Sequence, residues 1–274
     1  MHQPLSNRFC SAALAAILMF PAAAVAQAPA AAPADSALRA AIAAPTRTPA
    51  NTARDPHRHP AETLAFFGIK PADTVVEIWP GGGWYTEILA PYVAQGGGTL
   101  YVVPPEGRGA EGIRTKLAGN PQAYGAVKVA PLPGTGPSAV PDGSVDLVLT
   151  FRNVHNWTMG EKPFGDRMFA EMFRMLKPGG TLGIVDHRLP ESADSAREKT
   201  SGYMKPSTVR ALAEAAGFRF AGASEVNANP KDTADWPNGV WTLPPTFALK
   251  DQDREKYAAI GESDRMTLKF VKPQ

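Results

Sequence analysis

The 274-residue chain carries 28 Lys and Arg against 26 Asp and Glu, a formal charge of +2, with 44% hydrophobic and 20% charged residues. A near-neutral chain without a Lys/Arg block gives no electrostatic reason to bind a polyanion, so nucleic acid is not expected as a partner. The one cysteine, Cys10, excludes a disulfide framework, and its place ahead of an apolar leader leaves the remainder without a thiol nucleophile or a zinc-thiolate site.

Arg8, the apolar run from Ala12 to Phe20 and the A-x-A site Ala24-Val25-Ala26 predict a cleavable signal peptide over residues 1–26. The run is too short to span hydrocarbon and meets Pro21, so no integral membrane segment is expected after cleavage, and the protein is expected in the periplasm or secreted. Residues 27–50 are Ala/Pro-rich and poor in large apolar side chains, which predicts a flexible linker. Residues 51–274 have the size of one α/β domain.

Within that domain the elements alternate. A short helix over 61–67 precedes a β-branched strand, 74–79, which runs into Pro80-Gly81-Gly82-Gly83 and a second helix over 84–93. Gly96-Gly97-Gly98 ends that helix; 99–103 is a strand closed by Pro104-Pro105, 110–117 a helix, and 126–132 a third strand. The turn Pro141-Asp142-Gly143-Ser144 opens a largely apolar strand over 145–150, as expected where both faces are buried. A helix over 164–176 stops at Lys177-Pro178-Gly179-Gly180, before a strand over 181–185. A helix over 207–216 and strands over 218–226 and 266–271 complete the series. Alternation of this kind predicts a mostly parallel sheet covered on both faces, with ligands at the carboxyl ends of its strands.

The strand-turn-helix Val75-Val76-Glu77-Ile78-Trp79-Pro80-Gly81-Gly82-Gly83 resembles the first motif of the class I S-adenosylmethionine-dependent methyltransferases. Asp142-Gly143-Ser144-Val145-Asp146-Leu147-Val148-Leu149 looks like the fourth-strand segment of that family, and Leu176-Lys177-Pro178-Gly179-Gly180-Thr181-Leu182 like the turn into its fifth. Gly82 to Glu87, Asn153-Val154-His155-Asn156-Trp157 and Asp264-Arg265-Met266 resemble a bacterial subgroup of exported methyltransferase-like proteins. The resemblance implies a Rossmann-like fold with a seven-stranded sheet, S-adenosylmethionine as cofactor and a small-molecule acceptor. Carried over position by position, it implies that Glu77, Trp79, Gly81 and Gly83 face the methionine part of the cofactor. Trp79 stands where the family has the first glycine of the turn, and Pro104 where it has an acid for the ribose, which leaves Glu106 as the substitute. After the third strand, Pro131-Leu132-Pro133-Gly134 replaces a further acid.

For chemistry, a base at the mouth suffices, because a sulfonium is already an electrophile. His155, just past the fourth strand, is the candidate, with a cleft-wall role as the bland alternative. His187 beside Asp186 reads as structural. Arg152, Asn153, Asn156 and Trp157 make the same loop rich in donors with an aromatic floor, which suits substrate contact. Asp55, His57 and His59 have the composition of a divalent-metal chelate, but histidines in a proline-rich loop are more simply solvated, and no metal is expected. Residues 227–263, with Trp236, Trp241, Pro244 and Pro245, form an insertion on the ligand side, either a lid or a static cover. Two other functions remain open: an exported small-molecule binding protein without catalysis, and a metal-assisted hydrolase using His155 and His187.

Overall fold

The computed structural model describes residues 1–2 and 35–274, so all but the first two residues of the expected signal peptide lie outside the described residues. Four short helices open the described chain: α1 (Ser36–Ile42), α2 (Pro49–Thr52), α3 (Asp55–Arg58) and α4 (Pro60–Phe67). Then follow β1 (Thr74–Ile78), α5 (Thr86–Gln95), β2 (Thr99–Val103), α6 (Arg108–Ala118), α7 (Pro121–Tyr124), β3 (Lys128–Val129) and β4 (Val145–Phe151). The second half holds α8 (Val154–Thr158), α9 (Gly165–Met175), β5 (Leu176–His187), α10 (Pro206–Ala215), β6 (Arg219–Ser224), α11 (Arg254–Ile260) and β7 (Arg265–Val271).

The strands form one seven-stranded sheet in the order β3-β2-β1-β4-β5-β7-β6. β1 pairs parallel with β2 and with β4, Glu77 lying between Val102 and Leu149, while β7 is antiparallel to both β5 and β6. Strand order therefore reverses between β1 and β4, and the crevice at their carboxyl ends is where a ligand is expected in such a sheet. Because residues alternate across a strand, Val76 and Ile78 of β1 join a core with Met168, Phe169 and Met172 of α9 and Val209 of α10. Val75 joins the opposite core, with Ile88 and Leu89 of α5 and Leu64 and Phe67 of α4. Burial on both faces explains why β1 and β4 are mainly apolar instead of alternating apolar with polar residues.

The linker expected over 27–50 is corrected in its described part. α1 packs Leu38 and Ala41, each 1% exposed, onto the core. Asp35 caps it by accepting from Leu38 N at 2.6 Å and also receives the Tyr92 hydroxyl at 2.9 Å. An Ala-rich stretch with apolar residues three apart is a helix wherever a surface waits for that face, and composition alone does not reveal the surface. Arg47, buried, then holds Asp55 through two hydrogen bonds of 2.6 and 2.8 Å.

The insertion 227–263 lies over the ends of β5 and β7 and is tied down from within. Asp232 accepts from Tyr203 Oη, Ala234 N, Trp236 Nε1 and Asp264 N. Leu189, Tyr203, Ala234 and Val240 form a small core of their own beneath it. A buried carboxylate with this many donors fixes the backbone around it. Among the described residues no helix is long and apolar enough to cross a membrane.

Candidate functional site

The turn between β1 and α5 alternates left-handed residues: Trp79 at φ 50, Gly81 at φ 57 and Gly83 at φ 76. Trp79 occupies a conformation that costs a residue with a Cβ about 1–2 kcal/mol, so its neighbours must hold it there. Two contacts do so. The Asn153 amide donates to the carbonyls of Ile78 and Trp79, both at 3.1 Å, and the indole packs edge-on to Trp157 at 5.9 Å and against Phe164 at 6.1 Å. The ring thus leans toward α9. A Cβ on Gly81 or Gly82 would meet nothing within 4 Å, so the crest of the turn is open, whereas one on Gly83 would strike Lys116 at 2.7 Å.

Beside the turn, at the carboxyl ends of β1, β2 and β3, lies a cavity of about 420 Å³ walled by Trp79, Pro105, Leu132 and Phe164. Glu106 and Arg167 supply its polar rim. Arg167 grips the loop after β3 by donating to the carbonyls of Pro133, Gly134 and Gly136, and Gly134 N donates to Glu106 Oε2 at 3.3 Å. Its volume falls within the usual range for small-molecule sites, and its walls have the apolar character a planar base requires. Glu106, the expected substitute for the missing ribose acid, is on this cavity. Glu77 is not. Alternation turns it onto the α5 face, 2% exposed, where Thr86 Oγ1 donates to it at 2.5 Å. Burial pushes its carboxyl up to about 8, only partly offset by Thr86, so near neutral pH it is uncharged and ties β1 to α5 from beneath.

A second, more polar cavity of about 210 Å³ opens on the other side of Asn153, lined by Arg152, His155, Asn156, His187, Trp241 and Glu262 among others. Asp186, fully buried at the end of β5, accepts from His155 N at 3.1 Å, His187 N at 2.8 Å and His155 Nδ1 at 2.8 Å. A carboxylate there selects the imidazole tautomer with its proton on Nδ1 and leaves Nε2 as an acceptor. The His187 ring lies 5.1 Å from that of His155, with its Nδ1 2.5 Å from Ser263 Oγ. Burial, reinforced by His155 and Arg152, holds His187 well below its usual value, so it stays neutral.

Cations crowd the back of this cavity. Glu262 faces Arg54 at 2.5 Å, Arg265 at 3.3 Å and Arg58 at 3.5 Å. Burial raises its carboxyl, but the guanidiniums, Arg265 foremost, more than reverse that and bring it to about 2. Burial also lowers Arg58 to about 9 and Arg152 to about 10, with Arg152 the next cause for Arg58 and Arg265 for Arg152. Arg58 of α3 lies over the Trp84 ring at 4.6 Å, and Tyr85 stacks on Phe151 at 3.5 Å, so α3 packs on the turn before α5 and that turn packs on the end of β4.

Of the residues the sequence nominates, His155, Arg152 and Asn156 converge on one cavity, and Trp79 and Glu106 on the other. Asn153, 7% exposed, is the clamp between the two, and Trp157, wholly buried, stands behind the turn instead of lining the mouth. Asp55 is engaged by Arg47, away from any chelate with His57 and His59. His155, Asp186 and His187 each bring one donor atom within 4.8 Å of the others, but a dication there would face the guanidinium of Arg152. Spacing does not reveal Glu262, Arg54 and Arg58, which come together across about 200 residues. Asp186 was visible only as the neighbour of His187.

Residues 76–184 match the model of a methyltransferase domain family. Solved structures agree on the fold. A SAM-dependent methyltransferase from Aquifex aeolicus aligns with TM-score 0.54 at 19% identity, over 80% of this chain and 92% of that one. An arsenic(III) S-adenosylmethionine methyltransferase from Chlamydomonas reinhardtii aligns with TM-score 0.51 at 18% identity, over 89% and 75%. The cyclase SpnF aligns with TM-score 0.52 at 13% identity, over 90% and 98%. No curated protein matches the chain by sequence. Strand order and these structures show the Rossmann-like fold of the class I methyltransferases, and residues 76–184 within it are similar to a methyltransferase domain.

Proposed function

We propose that this protein is an exported enzyme that transfers the methyl group of S-adenosylmethionine to a small-molecule acceptor, with the nucleoside in the Trp79–Glu106 cavity and the acceptor in the His155 cavity. The observation that carries the reading is the pair of cavities flanking Asn153 at the reversal of strand order, one apolar and slot-like, the other polar with a histidine set for proton removal. Pro105, Leu132 and Phe164 would hold the base, and Glu106 would accept from the ribose hydroxyls. The open crest at Gly81 and Gly82 lets the backbone approach the rest of the cofactor. S-adenosylmethionine held there would supply an electrophilic methyl on a sulfonium that is its own leaving group. His155 Nε2 takes the acceptor's proton and releases it to solvent, while Asp186 keeps the imidazole in the required tautomer. Export to the periplasm rests on the leader over residues 1–26.

Incubation of the protein with methyl-labelled S-adenosylmethionine and periplasmic extract is expected to label a small molecule, and His155→Ala to slow that labelling about 10²–10⁴-fold. Absence of label with any extract counts against methyl transfer. A second reading, binding without catalysis, is favoured by the sealing of Glu77 away from the cavity. It predicts that nucleoside binding persists with no label transferred.

A further inference from the structure

The polar cavity and the wall behind it together hold more positive charge than their carboxylates neutralise. Four guanidiniums, of Arg54, Arg58, Arg152 and Arg265, surround it or its back wall, against the carboxylates of Glu262 and Asp186. Asp264 is taken by Arg188, which holds it at 2.8 Å through two nitrogens. Two positive charges remain in excess before either imidazole is counted. Arg152, half-buried, is the member of the group that lines the cavity. Its backbone is left-handed at φ 62, fixed by its N–H on the Val185 carbonyl at 2.7 Å, and its side chain lines the cavity. Among the described residues the Arg152 guanidinium has no hydrogen-bond partner, and one nitrogen each of Arg54 and Arg58 is buried without one. A buried charge left without its counterion is costly, and a strained non-glycine backbone that delivers one to a pocket marks a site where a ligand completes the pairing.

We infer that the acceptor taken in this pocket is a small oxyanion, a carboxylate or phosphate monoester, gripped by the Arg152 fork with Asn156 alongside and its nucleophile turned to His155. The guanidinium is suited to this role because its planar donors match a carboxylate or phosphate edge in pairs. Trp241 supplies the apolar wall for whatever carbon skeleton carries the group. This inference rests on the methyl-transfer reading for the word acceptor; the anion site itself does not.

Calorimetric titration of the full chain in oxyanion-free buffer, with acetate, inorganic phosphate and neutral acetamide as probes, tests it. One oxyanion is expected to saturate a single site with a dissociation constant of about 1 mM or tighter, acetamide not to bind, and whichever oxyanion binds better names the group. Arg152→Gln is expected to weaken that binding at least about tenfold, and Arg152→Lys, which keeps charge without the fork, to restore part of it. Failure of both oxyanions to saturate, acetamide binding as well as acetate, or unchanged affinity in folded Arg152→Gln overturns the inference. Should that variant not fold, the acetate and acetamide comparison on the unaltered chain decides alone. S-adenosylhomocysteine is titrated into the same samples. Its binding without oxyanion binding sinks the anion site and spares methyl transfer, and the converse result spares the anion site alone.

Discussion

Glu77 shows how one side chain's direction sets its chemistry. In β1 it shares a face with Val75 and not with Val76 and Ile78, so it meets Thr86 under α5 and loses its water. Its folded value of about 8 lies above the ordinary 4.5, so between those values the folded chain binds the proton that the unfolded chain has released. Stability from this group is full below about pH 4.5 and is lost as pH rises through about 8. Glu262 has the opposite sign: held near 2, it stabilises above about 4.5 and that contribution is lost as pH falls through about 2. Calorimetric melting of Glu77→Gln across pH 5–8 is therefore expected to show a flatter profile than the unaltered chain, with the variant's relative gain largest at the alkaline end. A profile that keeps its slope in the variant would assign the slope to another group.

At the scale of the element, the β1–α5 turn is stabilised from three sides. Asn153 holds its carbonyls, Thr86 caps Glu77 below it, and α6 seats Lys116 against Gly83 while Lys116 Nζ pairs with Glu87 at 2.6 Å. Glu87 also accepts from Thr48 N and Oγ1, so one carboxylate joins the turn's helix to the amino-terminal segment. Alanine at Gly81 incurs only the left-handed strain, about 1 kcal/mol, because its Cβ meets nothing. Alanine at Gly83 incurs the same strain and must also push Lys116 off Glu87, so its urea midpoint is expected to fall further, by the equivalent of about 1 kcal/mol. Equal losses at the two positions would mean that Lys116 is not held as described. These elements were unequally legible in the chain. β1 and β4 announce themselves as mainly apolar runs rich in Val, Ile and Leu, each with a single acid, and the helix stop at Met175 follows from the Lys-Pro-Gly-Gly that comes after it. α8 read as a loop because five residues, Val154–Thr158, are too few to display a period. The side Glu77 faces could not be read, since both faces of its strand are buried and alternation names no winner.

For the whole molecule, the sheet order and the covering of both faces followed from alternation of strand and helix, and the crevice between β1 and β4 followed from the order. The assembly around that crevice did not. α3 and the residue before it meet the end of the insertion 227–263 and the start of β7 through Arg54 and Arg58 on Glu262 and Arg265 on the His57 carbonyl, pairs about 200 residues apart that leave no spacing signal. The insertion reads as lid or cover from composition, and four groups donating to Asp232 hold it together in this conformation. Trp241 and Arg152 line the polar cavity, while the cavity beside Trp79 lies at the ends of β1, β2 and β3.

That slot is the seat assigned to the nucleoside, and calorimetric titration with S-adenosylhomocysteine examines it most directly. The unaltered chain is expected to bind one equivalent with a dissociation constant on the order of tens of micromolar, within the range typical of enzyme ligands. Gly134→Trp, placed where an added Cβ meets nothing and the side chain must fill the slot, is expected to abolish binding without lowering the melting temperature. An unaltered chain that does not bind, or a folded Gly134→Trp that binds equally well, would contradict the assignment.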